Sequence, residues 1–128
     1  MISAHACGAR LVLAGLTLFF VGLGLGFAVT IFPAIKPLLS AHEGALGSGT
    51  FLISVGAIWS IYMNSASRIL VPVIWLSHYA LTATLILEGI GGAIHPVAGP
   101  LIEIACIAVT ITTGMLIVKF WKATRVVQ

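Results

Sequence analysis

Apolar positions in this chain do not alternate with polar ones; they run together. Four stretches, roughly residues 10–32, 41–63, 69–94 and 101–121, are almost free of charge, and short segments rich in proline, glycine or polar residues part them. Runs of about 18 or more such residues are what a bilayer crossing needs. A helix is the form in which one run satisfies its own backbone hydrogen bonds there. The pattern therefore predicts an all-α, polytopic membrane protein with four transmembrane helices in one bundle, a single domain over residues 1–128. No soluble domain, internal repeat or low-complexity tract is visible.

Composition sharpens this reading. Hydrophobic residues make up 60% of the chain and charged residues 7%. Soluble domains carry about 25% charged residues, so this inventory cannot build a water-facing surface. Mean hydropathy is +1.20. The net charge of +3 does not point to nucleic acid, because the basic residues are placed as topology signals. With four crossings, Arg10, Arg68, Lys119, Lys122 and Arg125 share one side and Lys36 alone marks the other. The positive-inside rule then puts both termini in the cytoplasm, in what we expect to be a bacterial inner membrane. The first run is read as a span and not as a cleaved leader, because it exceeds a typical signal core.

Local signals refine the elements. Helix 1 carries Gly15, Gly22, Gly24 and Gly26, and the Gly22/Gly26 pair forms a G-x-x-x-G face that admits a close neighbour. Pro33 and Pro37 in "IFPAIKP" end it. Ser40 and Glu43 have the spacing of a capping box at the start of helix 2. Pro72 is compatible with a first turn in helix 3, which Gly91, Gly92 and Pro96 should stop. Cys7 and Cys106 lack any disulfide or zinc spacing and are expected to be unpaired. Trp59, Tyr62, Trp75 and Trp121 read mostly as interface anchors.

Against this background the few polar groups stand out. His42, Glu43, Glu88, His95 and Glu103, which include all three acids, fall in the non-cytoplasmic half. Ionisable groups at membrane depth cost a few kcal/mol each and tend to face a cavity, a partner or a cofactor. Each also has a plainer use. Glu43 suits a cap, Glu103 suits the start of helix 4, and His95 precedes Pro96 in a hairpin. His78, about 15 Å deeper than Glu88, can bond a neighbouring helix. His42 is distinguished by the small residues after it. Ala45, Leu46 and Gly49 share its helical face, and Gly44, Gly47 and Ser48 thin the adjoining surface. Such a face suits either a planar cofactor below an imidazole or a small-residue seam between helices.

The stretch "AHEGALGSG" from Ala41, in a small four-span chain, resembles the styrene oxide isomerase and hydroxylaminobenzene mutase family. There a histidine opening the second span is followed by a glycine two residues on and then by an Asn-Gly pair. The resemblance covers the four-helix layout and this one motif. It implies haem b held in the membrane between subunits of a homotrimer, with His42 as axial iron ligand and Gly49 on the cofactor face. Ser48 stands where the family has asparagine, and no tyrosine falls at the register of the family's substrate-orienting one, Tyr79 being the nearest. The compact loops look closer to the mutase branch.

What the resemblance implies chemically is a redox-neutral rearrangement of a small aromatic substrate. That would be hydroxylaminobenzene to 2-aminophenol, or aryl epoxide to aldehyde in the isomerase branch, with ferric haem as Lewis acid. Glu43, Ser48, Tyr79 and Glu88 are the candidate catalytic residues, a carboxylate either orienting the His42 imidazole or moving a proton. Two non-enzymatic readings compete. A proton-coupled small transporter normally uses a glutamate in helix 1, which has none here, and an electron-transfer cytochrome wants two histidines at matching depth, whereas His42 and His78 are offset.

Overall fold

The computed structural model describes residues 3–32, 38–63, 67–91 and 97–125, leaving Pro33, Lys36, Pro37, Gly92, His95 and Pro96 outside the described residues. Four helices follow one another: α1 (Ala4–Ile31), α2 (Leu39–Tyr62), α3 (Leu70–Gly91) and α4 (Ala98–Arg125). All four are long and apolar enough to cross a membrane, which marks an integral membrane protein. At 1.5 Å per residue the shortest, of 22 residues, spans about 33 Å, just over the thickness of a hydrocarbon core.

Several ends differ from the expectation. Helix α1 begins six residues before Arg10, because Ser3 caps it by accepting a hydrogen bond from the Ala6 amide at 3.1 Å. Ser40 does not take the N-cap position that the expected capping box with Glu43 requires. Helix α2 starts at Leu39, so Ser40 lies inside the first turn, and Leu38 at the cap position makes no side-chain cap bond. Leu38 is buried, and docking that side chain into the bundle starts the helix ahead of the serine. Ser67 caps α3 by accepting from the Leu70 amide at 3.2 Å. Pro72 and Pro100 both sit in first turns, where the missing N–H costs nothing.

Helices α1 and α2 pack most closely, followed by α3 with α4 and α2 with α3. Within a bilayer, lipid competes equally for apolar surface, so helices associate where backbones can approach. Here that approach runs along a ladder of glycines spaced by seven residues on both helices: Gly8, Gly15 and Gly22 on α1, Gly49 and Gly56 on α2. A methyl group built on Gly15 would stand 2.6 Å from the Gly49 carbonyl oxygen, and one on Gly56 would stand 2.6 Å from the Gly8 carbonyl oxygen. Only hydrogens fit between these backbones.

The apolar core gathers Leu11, Leu52, Trp59, Ile74 and Leu116 toward the end where α1 begins. Trp59 is fully buried, with the Phe120 ring edge-on at 6.2 Å and the Lys119 ammonium 4.8 Å above its face. It is a core residue and not the interface anchor expected, because it sits on the α2 face turned toward the other helices. Tyr62 and Trp121 are exposed at the ends of α2 and α4. The Arg125 guanidinium stacks 3.8 Å from the Trp121 ring. Large apolar side chains such as Phe20, Phe27, Ile90, Ile104 and Ile117 point outward, as lipid-facing residues do. Both cysteines are free, Cys7 buried and Cys106 exposed.

Candidate functional site

The residues singled out in sequence do not meet in one place; the structure distributes them over three. The first is the rim of the α1–α2 pair. His42, half-buried on the first turn of α2, lies 2.7 Å through Nδ1 from the Gly22 carbonyl oxygen. A carbonyl can only accept, so Nδ1 carries the proton and donates. In the neutral ring Nε2 is then left with its lone pair. The ring rests in a slot that exists because Gly26 lacks a side chain: a methyl group there would stand 2.7 Å from Nδ1. His42 thus takes the next rung of the glycine ladder, seven residues before Gly49.

This geometry revises the expected roles of the neighbours. The imidazole is oriented by a main-chain carbonyl of α1, not by Glu43 or Glu88. Among the described residues neither carboxylate bonds to it. Glu43 and Glu103 are exposed and Glu88 is half-buried, all at the same end of the bundle. Gly49 is buried against the main chain of Gly15 and Phe19, so the face below His42 is occupied by α1. Of the two uses open to that face, the structure shows the helix seam. The side of α2 that remains open carries Glu43, Gly47, Thr50 and Ser54, all exposed, and nothing lies within 4 Å of a methyl built on Gly47.

The second place is a polar cluster in the middle of the bundle. Ser48, six residues from His42 and so about 240° around α2, is buried and its Oγ lies 3.0 Å from His78 Nδ1. The His78 ring stacks on Phe51 with centroids 4.9 Å apart, while its Nε2 is buried without a partner among the described residues. Ser77, next to His78 in the chain, and Thr112 approach within 3.3 Å across α3 and α4. An orphaned ring nitrogen is a cost and not a gain. We expect His78→Leu to leave thermal stability in detergent unchanged to within about 1 kcal/mol, since Ser48 can turn to its own helix and the orphan disappears. A loss well beyond that in a melting curve would show that the ring contributes more than its orphaned nitrogen costs, through its contacts with Phe51 and Ser48.

The third place is a cleft of ≈ 450 Å³ between α1 and α3 at the opposite end from His42. Tyr79 closes its inner part, donating through its hydroxyl to the Ala14 carbonyl at 3.2 Å and packing edge-on against Trp75. Ala14 lies eight to twelve residues from Gly22 and Gly26, about 12–18 Å along α1. Tyr79 therefore belongs to this cleft and not to the His42 rim.

Which metal chemistry fits these residues is decided by donor sets. Among the described residues no group of three or more histidine, cysteine or acidic side chains converges on a point, so a metal held wholly by side chains does not fit. A haem asks less of the protein, because the porphyrin supplies four ligands and the chain needs to give one. His42 meets that requirement: one imidazole, one fixed tautomer, and an Nε2 with no hydrogen-bond partner among the described residues. No family model matches the chain, and no curated protein or solved structure is significantly similar to it.

Proposed function

We propose that the chain is a membrane-embedded haem b protein with His42 as the axial ligand, and that it rearranges a small aromatic substrate without net redox change. The observation that carries this reading is the 2.7 Å contact from His42 Nδ1 to the Gly22 carbonyl. Metal-bound histidines characteristically donate their other ring N–H to a carbonyl or carboxylate, which fixes the ring and raises its basicity. The likeness of "AHEGALGSG" to the isomerase and mutase family supplies the choice of cofactor and reaction class.

When bound, ferric haem supplies a Lewis-acidic iron able to polarise an N–O or C–O bond. The chain's own contributions are separate. Gly22 holds the tautomer, Gly26 makes room for the ring, and His42 presents its lone pair at the bundle rim. Leu23, Phe27 and Leu39, exposed and close in sequence to these residues, are apolar and keep the surroundings dry. Because α1 fills the Gly49 face, that face offers no bed for a macrocycle on His42 among the described residues. The outward strip Glu43–Gly47–Thr50–Ser54 is the small-residue surface left to it, which favours a site shared between copies and a homotrimer. We place both termini in the cytoplasm of a bacterial cell, on the strength of the basic residues, and favour hydroxylaminobenzene over styrene oxide as substrate.

The test is the absorption spectrum of detergent-purified protein expressed with ample haem. We expect a Soret band that His42→Ala abolishes and that free imidazole restores in part. Incubation with phenylhydroxylamine should give 2-aminophenol in the wild type and none in the variant. Colourless wild-type protein, or a variant that keeps its full complement of haem, would sink the assignment.

A further inference from the structure

We propose that the cleft between α1 and α3 is a site for one acidic phospholipid, its phosphate held by Arg10 and Arg68 and its acyl chain laid along the apolar wall. One arginine comes from α1 and the other from the turn that leads into α3, and both line the same cavity of ≈ 450 Å³. Like charges brought to one mouth repel unless an anion sits between them, and no acid lines this cleft. All three acidic residues of the chain lie at the other end of the bundle. Arginine is the side chain best suited to the missing partner, because its planar fork matches phosphate oxygens two at a time.

Two further features favour an anion there. Helices α1 and α3 both begin at this end, so the positive ends of two helix dipoles flank the mouth. Two other hydroxyls of the wall are already committed as donors, Thr17 to the Leu13 carbonyl and Tyr79 to the Ala14 carbonyl, while Ser67 accepts from the Leu70 amide and keeps its own proton to donate. Both arginines are exposed and form no ion pair among the described residues, so the guanidinium groups are free to bind.

Beyond the mouth the wall turns oily, with Leu13, Ala14, Val71, Pro72 and Trp75. From Val71 to Tyr79 the cleft descends eight residues of α3, about 12 Å. A water-soluble phosphate has no use for that depth, whereas an acyl chain fills it. Basic pockets between membrane helices, with apolar surface beneath, are the arrangement that recognises anionic lipid headgroups.

The experiment is native mass spectrometry of the full chain released from detergent, titrated with phosphatidylglycerol or with phosphatidylcholine of identical acyl chains. We expect one phosphatidylglycerol per chain, bound at least tenfold more tightly than phosphatidylcholine. Arg10→Gln with Arg68→Gln should remove that preference. Both side chains are exposed, so the core and the fold should survive. Lys122→Gln with Arg125→Gln, an equal loss of charge on α4, should change the affinity less than twofold. Leu13→Trp should weaken binding with both arginines intact, because it fills the wall. Equal binding of the two lipids would overturn the proposal, as would equal losses in the two double variants, which would mean general charge attraction. Inorganic phosphate competing at the lipid's own concentration would overturn it as well, by showing that the acyl chain contributes nothing. None of these readouts depends on haem or on His42.

Discussion

Gly49→Val is expected to abolish folded protein, while Gly47→Val, two residues away, leaves it intact. The first methyl carbon at position 49 would already stand 2.7 Å from the Phe19 amide nitrogen and 2.8 Å from the Gly15 carbonyl oxygen. These are main-chain atoms of a helix, so they cannot rotate aside as a side chain would. Relief requires α1 and α2 to separate, and separation would open the contacts at Gly8/Gly56 and Gly22/Leu46 on the same seam. Overpacking a well-fitted interior costs about 1–3 kcal/mol when side chains can adjust. Here the obstacle is backbone, and we expect a loss of about 3 kcal/mol or more. At position 47 nothing lies within 4 Å of the added carbon, and the residue is exposed. Recovery of monodisperse protein after detergent extraction, with its melting temperature, distinguishes the two variants. Equal behaviour would mean that the close α1–α2 approach is not what holds the bundle together.

The second large effect is expected from Trp59→Ala. This side chain is the largest fully buried one, held between Phe120 and the Lys119 ammonium. In a soluble core its removal would cost about 3–5 kcal/mol, part of it for transfer from water and part for the void left behind. In a bilayer the transfer part shrinks, because lipid is as apolar as the core, and the lost packing remains. We therefore expect about 3 kcal/mol, at the lower end of that range, read from unfolding in mixed micelles. Trp59→Phe should recover most of it, since the buried Nε1–H has no partner among the described residues to lose.

The spans were legible because uninterrupted oily runs can be read one helix at a time. The start of α1 was not, since Ala4, His5, Ala6 and Gly8 show no apolar run, and Ser3 was the one available cue. The rim site was legible in half. His42 was conspicuous beside its small neighbours, but the atom that orients it is a backbone carbonyl. A sequence has no letter for that; the Gly22/Gly26 spacing hinted only that something would come close. Ser48 and Tyr79 entered by analogy of register. The rotation of α2 turns Ser48 to His78, and the level of Tyr79 on α3 sets it against Ala14. The bare face around Gly49 had two readings, and choosing between them required knowing that α1 carries a matching ladder. The cleft of Arg10 and Arg68 was not legible, because one residue lies on α1 and the other in the turn before α3, and topology alone explains each.

The imidazole in the glycine ladder also bears on alignment. Sliding α1 along α2 by two turns would again lay glycine on glycine, Gly15 against Gly56 and Gly22 against Gly49. His42 would then meet Val29, and a slip the other way would set it at Gly15 with Phe19 where the hollow should be. Of these three settings, only the one at Gly22 and Gly26 offers a carbonyl and a hollow one turn apart. The ring thus works as a key that admits a single offset of two otherwise slippery rods, whatever else it grips.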